Sequence, residues 1–241
     1  MSALVLAIPA VAERTGREVT VVGGLAVVCR LSRPYRATTD LDTVHRRHDG
    51  EPTQLELLLS SGASRSGPSG VLVPTAIGQV QVDLLEVTDA DLAQLPEDPT
   101  DRLHVLSHAW AAASATLVTI RATGLPDLAV RVAEPGPLVA MKLQSVMNRG
   151  RAKEATDLLD IIRLCVDPVA GPTALTQLAS SEPQIREDAC RHASRWFDHQ
   201  ATRSLRVIRA VPDGQEIEIA DLQLVSELLH SVLPVGGAEG I

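Results

Sequence analysis

Aromatic side chains are nearly missing from this 241-residue chain: they make up 2% of it, with one tyrosine, one phenylalanine and two tryptophans. So few rings leave little material for the stacking platforms with which single-strand binders hold bases. A basic surface is lacking too. The formal net charge is −8, which argues against non-specific coating of nucleic acid, because that requires phosphate neutralisation. A local basic groove stays open. No stretch approaches the roughly 20 apolar residues that span a bilayer, so no membrane partner is expected. Met1 to Ala12 is apolar but lacks a basic leader, and Glu13 and Arg14 follow without a cleavage pattern, so it reads as an opening helix. Cys29, Cys165 and Cys190 are odd in number, far apart and in no metal-ligand spacing. That is the usage of reduced thiols in a cytoplasm, the expected location. Lysine is scarce as well: only Lys142 and Lys153 occur, the other basic residues being arginine. The two places that keep a lysine invite a chemical explanation.

What is present reads as an α/β (α+β) half followed by a helical one. A helix over residues 3–14 leads into a strand at 18–22; Gly23-Gly24 ends it, and a helix over 25–31 starts on the glycine turn. A loop through Arg33-Pro34-Tyr35-Arg36 delivers the chain into a second strand at 40–44. A helix at 54–60 precedes a Ser/Gly-rich stretch at 61–70. Residues 71–74 and 78–87 form a hairpin whose second arm alternates, with Val80, Val82 and Leu84 on one side and Gln79, Gln81 and Asp83 on the other. The acidic stretch 88–101 reads as a solvated loop. A helix at 103–113 and strands at 116–122 and 128–132 complete a mixed-sheet core, assigned to residues 1–134. After Glu134-Pro135-Gly136-Pro137 only helical patterns remain, over 137–147, 151–166, 172–180, a long arginine-rich one from Gln184, and 217–233. Residues 135–241 are expected to form a helical C-terminal domain that closes the cleft.

The informative stretch is Val21-Val22-Gly23-Gly24-Leu25, then Arg36-Ala37-Thr38-Thr39-Asp40-Leu41-Asp42. Aspartates at i and i+2 on a strand project from one face. Magnesium prefers carboxylate and phosphate oxygens, so Asp40 and Asp42 suit a pair of Mg²⁺ ions carrying a nucleoside triphosphate. Phosphoryl chemistry of this kind rests mostly on positioning and charge neutralisation. Asp83, on the polar side of its strand, supplies a third carboxylate to complete the metal site and help deprotonate an attacking hydroxyl. Gly23-Gly24 at a helix N-terminus lets backbone N–H groups come close to phosphate. Further on, Lys153, Asp157 and Asp160 stand at i, i+4 and i+7, on one helical face. Lys142 lies on the preceding helix, where a compact ammonium can meet phosphate as a point charge. An ordinary helical ion pair between Lys153 and Asp157 is the alternative reading of that pair.

Gly-Gly, a gap and Arg-x-Thr-x-Asp-Leu-Asp resemble the nucleotidyltransferase superfamily of the polymerase-β type. More narrowly, the chain resembles the AbiEii/MenT branch of bacterial toxin nucleotidyltransferases. The matching second motif is Leu138-Val139-Ala140-Met141-Lys142, then Arg149, Lys153 and Asp157-Leu158-Leu159-Asp160, and the resemblance spans roughly residues 18–166. It implies NTP-dependent transfer with release of pyrophosphate. Asp40, Asp42 and Asp83 would be catalytic metal ligands, with Lys142 and Asp157 also catalytic. Gly23, Gly24, Arg36, Lys142 and Lys153 would hold the triphosphate. It further implies a tRNA 3′ end as acceptor and a cognate antitoxin as partner. Where many superfamily members have Gly-Ser, this chain has Gly-Gly followed by Leu25, leaving phosphate to the backbone amides.

Two rivals stand beside that reading: a small-molecule (antibiotic-type) nucleotidyltransferase, which the low basic charge favours, and a non-catalytic nucleotide-binding module. If an RNA acceptor is used, Arg191, Arg195, Arg206 and Arg209 would form the phosphate-binding stripe, provided that one continuous helix carries them.

Overall fold

Periodicity in the sequence becomes α/β structure in a computed structural model that describes residues 1–147 and 151–233, with only the backbone of Arg151 and Ala152. Arg149 of the second motif lies outside the described residues. The chain divides into two units. Residues 1–29, 34–95 and 108–134 form the first; 30–33, 96–107 and the described residues from Pro135 onward form the second.

The first unit begins with α1 (Ser2–Thr15), which ends on Gly16 in the left-handed region, its N–H returned to Ala12 O. Strand β1 (Thr20–Val22) runs directly into α2 (Gly23–Arg30). Then come β2 (Asp40–Arg47), α3 (Gln54–Ser60), β3 (Ser64–Arg65), β4 (Gly70–Thr75) and β5 (Gly78–Thr88). After these follow α4 (Asp89–Ala93), α5 (Pro99–Ser114, of which the residues up to Ser107 belong to the second unit), β6 (Thr116–Ile120) and β7 (Leu128–Val132). The seven strands make one mixed sheet in the order β3-β4-β5-β2-β1-β7-β6. β2 pairs in parallel with β5, and β1 with β7; the other pairings are antiparallel.

Register decides which side chains share a face. Leu41 pairs with Val82 and Thr43 with Leu84, while Val71 and Val73 pair with Val82 and Val80. Their side chains are all buried. Helices α1 and α3 lie along these strands, so this row meets Leu4, Val5, Ile8, Val11 and Leu58, also buried. Period 2 then puts Asp40, Asp42, Gln81 and Asp83 on the other face.

The stretch 88–101, expected as a loop, holds α4 and the start of α5. The reason is local: Thr88 and Asp91 form a capping box, each side chain accepting the other's backbone N–H. Acids in a first turn also favour a helix through its dipole. A similar box, Thr53 with Glu56, starts α3.

The second unit is helical. Its elements are α6 (Pro135–Ser145), α7 (Arg151–Val166), α8 (Ala170–Ala179), α9 (Pro183–Ala193), a π-helical turn (Ser194–His199), α10 (Ala201–Ile208) and α11 (Ile219–His230). Residues 135–144 are buried without exception, so α6 is an internal helix packed by α7, α8 and α9. Leu138, Leu143, Leu158, Leu159, Ile162 and Phe197 fill the core. Trp196 keeps its indole N–H satisfied on Leu143 O at 3.2 Å. Arg102 makes a two-pronged pair with fully buried Asp188, at 2.8 and 2.7 Å, tying segment 96–107 to α9. Among the described residues no helix is long and apolar enough to cross a membrane.

His192 of α9 is buried, and its Nε2 has no hydrogen-bond partner among the described residues. Burial, with the charge of Arg195 second, pushes its pKa down from 6.5 to about 4. A depressed histidine contributes stability above its unfolded pKa, and that contribution is lost as pH falls from there through about 4. Unfolding in urea at pH 7 and at pH 4 measures it. The loss should reach about 3 kcal/mol more in the wild type than in His192→Leu.

Candidate functional site

Asp42 and Asp83 are direct partners across the parallel β2–β5 pair, and Asp40 is opposite Gln81 one step away. Asp40 and Asp42 share a face because they are two residues apart. One oxygen from each of Asp40, Asp42 and Asp83 can be chosen so that all three atoms lie within 4.8 Å of one another. Asp42 is buried, at 8% exposure, while Asp40 and Asp83 are half-buried.

Neighbours orient these carboxylates. The Thr38 hydroxyl donates to Asp40 Oδ1 at 3.0 Å, and Thr38 is itself buried. The Gln81 amide donates to Asp83 Oδ1 at 3.0 Å. Gly70, paired with Asp83 on the next strand, leaves room for it: a Cβ there would come 2.9 Å from Asp83 Oδ1 and 2.3 Å from Ser66 O.

The glycine pair is shaped by the same crowding. Gly23 has φ +61°, and a Cβ on it would fall 1.9 Å from Asp42 Oδ2. Both the backbone conformation and the space therefore require glycine. A Cβ on Gly24 would come 2.8 Å from Arg36 Nη2 and 2.9 Å from Thr38 Oγ1. The start of α2 thus has the Arg36 guanidinium against its bare backbone, a donor set suited to phosphate oxygens, while the one Thr38 hydroxyl hydrogen goes to Asp40. Arg36 is steadied by Tyr35, whose hydroxyl accepts from Arg36 Nε at 3.1 Å.

Three carboxylates held this close repel one another. A divalent cation relieves that repulsion, and an all-oxygen donor set on a partly open face fits a hard ion such as Mg²⁺. Nothing in the set favours a soft metal.

The remaining predicted residues, Lys142, Lys153 and Asp157, belong to the second unit. Lys142 is buried on α6, and its Nζ lies 2.5 Å from Asp157 Oδ1 and 2.8 Å from Asp160 Oδ2. Asp157 also accepts from Ser145 Oγ at 2.8 Å. Burial alone would lower the ammonium's pKa, but the two carboxylates outweigh it and hold Lys142 above the ordinary lysine range. The structure therefore engages Lys142 with two buried acids, where the sequence suggests a bare point charge. Lys153 is exposed on α7, although it shares the helix with Asp157 and Asp160.

The arginine stripe does not survive as one face. Its continuous helix is broken by the π-helical turn and by Gln200, with α9 before and α10 after. Arg191 pairs with Glu187 at 2.5 Å, Arg195 lies over the Trp196 ring, and Arg209 donates to Ile217 O at 2.7 Å.

Thr38 and Gln81 are site residues whose roles the sequence did not announce. Thr38 stood inside the Arg-x-Thr-x-Asp motif, and Gln81 on the polar side of β5 with Asp83. Each signal was positional and had no chemistry attached until the register was known.

No protein-family model and no curated protein matches the sequence. Among solved structures, the chain is similar to an antigenic nucleotidyltransferase-like protein from Paracoccidioides brasiliensis, with 21% identity over 77% of this chain and 90% of that one, at a TM-score of 0.41. It is also similar to ANT(2")-Ia in complex with adenylyl-2"-tobramycin, with 17% identity over 81% of this chain and 99% of that one, at a TM-score of 0.41. Likenesses this distant decide nothing about activity.

Two outcomes follow for variants. Gly23→Ala should lose fold stability, because a methyl group cannot share space with Asp42; denaturant unfolding should show at least about 1 kcal/mol lost. Lys142→Met should destabilise by about 3–5 kcal/mol, since it leaves buried carboxylates uncompensated. Asp157→Asn with Asp160→Asn should recover part of that loss in the Lys142→Met background. Unchanged urea unfolding of Lys142→Met would show that the buried pairs do not hold the helices.

Proposed function

We propose that this chain is a divalent-metal-dependent nucleotidyltransferase, moving a nucleoside monophosphate from an NTP to an acceptor hydroxyl with release of pyrophosphate. The observation that carries the reading is the convergence of Asp40, Asp42 and Asp83 on one sheet face, beside the bare backbone of Gly24 and the Arg36 guanidinium.

In this reading Asp40 and Asp42 hold two Mg²⁺, and Asp83 completes the site. When bound, the ions supply charge neutralisation for the triphosphate and for the departing pyrophosphate. The protein's own groups do the positioning. Backbone N–H groups at the start of α2 and the Arg36 guanidinium hold phosphate oxygens. The Thr38 hydroxyl fixes the Asp40 carboxylate, and Gln81 fixes Asp83 through Oδ1. That leaves Asp83 Oδ2 to take the proton of the attacking hydroxyl. By the motif resemblance, Lys142 and Lys153 would also hold the triphosphate, and Lys142 and Asp157 would take part in catalysis.

The motif resemblance to the AbiEii/MenT branch supports a tRNA 3′ end as acceptor, and with it a toxin restrained by a cognate antitoxin. The net charge of −8 and the broken arginine stripe favour the second reading, a small-molecule acceptor of the antibiotic type. A lapsed, merely nucleotide-binding module is disfavoured, since mutually repelling carboxylates are readily lost without a use.

Incubation with each labelled NTP, Mg²⁺ and either total RNA or a panel of small hydroxylated acceptors tests both levels. Label should transfer in the wild type, and Asp40→Asn or Asp42→Asn should lower the rate about a thousandfold. In chelator the same variants should melt higher than the wild type, by about 1 kcal/mol of relieved repulsion. Label on small acceptors but not on RNA would overturn the tRNA reading alone. Full transfer by an Asp40→Asn/Asp42→Asn double variant would overturn the enzyme assignment.

A further inference from the structure

One cluster of reactive groups lies outside both the carboxylate site and the second motif. In the second unit, Cys190 Sγ of α9 is 3.7 Å from His230 Nδ1 at the end of α11. The other ring nitrogen, Nε2, is 2.8 Å from Asp198 Oδ2 and 3.3 Å from Ser194 Oγ. Asp198 accepts a second hydrogen bond, from the Ser226 hydroxyl, on Oδ1. Ser194 and Asp198 both belong to the π-helical turn Ser194–His199. Such turns are uncommon and recur at functional sites.

The tautomer follows from the partners. An ionised carboxylate only accepts, so Nε2 must carry the hydrogen that faces Asp198. In the neutral ring Nδ1 then presents its lone pair, and what it faces is the Cys190 thiol. A thiol beside an imidazole that is itself oriented by a carboxylate is the arrangement that converts a weak nucleophile into a strong one. We propose that Cys190, with His230 as its base and Asp198 holding that base, is an activated thiol that reacts with small hydroperoxides.

The step balances as follows. His230 Nδ1 takes the thiol proton, and the thiolate sulfur attacks one peroxide oxygen. An S–O bond forms and the O–O bond breaks. The leaving oxygen departs with the electron pair and takes the proton from Nδ1, giving water from hydrogen peroxide. Sulfur is oxidised by two electrons to the sulfenic acid, and the peroxide is reduced. Size selection is built in: Cys190 is 5% exposed, whereas the His230 and Asp198 side chains are 23% and 37% exposed. Solvent therefore reaches the base more readily than the sulfur, and a small oxidant suits the site better than a bulky one.

The chain contains its own references, because Cys165 is equally buried and has only burial acting on it, which pushes its thiol up to about 12. Full-length protein is treated with hydrogen peroxide and dimedone at pH 7, and peptides carrying Cys29, Cys165 and Cys190 are quantified by mass spectrometry. Cys190 should be trapped about tenfold faster than Cys165. In His230→Gln its rate should fall about tenfold while that of Cys165 stays unchanged, which excludes unfolding as the cause. Asp198→Asn should act in the same direction. Equal trapping of Cys190 and Cys165 in the wild type overturns the proposal. So does a His230→Gln variant whose Cys190 reacts at the wild-type rate.

Discussion

The parallel pairing of β2 with β5, in the register that sets Asp42 opposite Asp83, is the constraint on which the site depends. A shift of one residue would turn Asp83 to the face where Leu41 and Val82 are buried. The apolar row beneath fixes that register, since Leu41, Thr43, Val80, Val82 and Leu84 occupy the opposite face and are all buried. Hydrophobic burial on one side of the sheet therefore holds like charges together on the other. The energy of three adjacent carboxylates is unfavourable by itself, and it is tolerated because the core beneath cannot slip. Gly23, Gly24 and Gly70 complete the arrangement by omission: each lacks the Cβ that would collide with Asp42, with Arg36 and Thr38, or with Asp83.

Much of this was legible in the sequence. The i, i+2 spacing of Asp40 and Asp42 needs only a strand to become a shared face, and the alternation of 78–87 placed Asp83 on a polar side. The mixed α/β class and the helical C-terminal part followed from the change of period at Pro135, and the structure has both. Apart from the hairpin of 71–74 and 78–87, which strands are neighbours could not be read, because strand order is a long-range property. The closeness of Asp83 to Asp42 depended on it. The helix α4 has a sequence signal of its own, the capping-box spacing of Thr88 and Asp91, inside a stretch whose acidic composition equally suits a solvated loop.

The second unit shows what composition leaves out. Lys142 stands in a run, 135–144, whose every residue is buried. A lysine in an internal helix requires counter-charges, and Asp157 and Asp160 provide them at 2.5 and 2.8 Å. The rarity of lysine says nothing of these partners, whereas the unbroken burial of the surrounding run requires them. The arginines of 191–209 form one stripe only if a helical period runs unbroken through 194–200. The π-helical turn there changes the residues per turn, so side chains on either side of it no longer share a face. The same turn brings Asp198 and Ser194 to His230. No periodicity argument would have found that cluster.

Direct binding of a divalent ion tests the central claim with no assumption about nucleotide or acceptor. Mn²⁺ reports its own binding through loss of the free-ion electron paramagnetic resonance signal, and it accepts the oxygen ligands that Mg²⁺ does. Titration of the wild type with Mn²⁺ should show saturable binding that Mg²⁺ displaces and that Asp42→Asn together with Asp83→Asn abolishes. Binding of the same affinity in that double variant would place the ion elsewhere and contradict the carboxylate site.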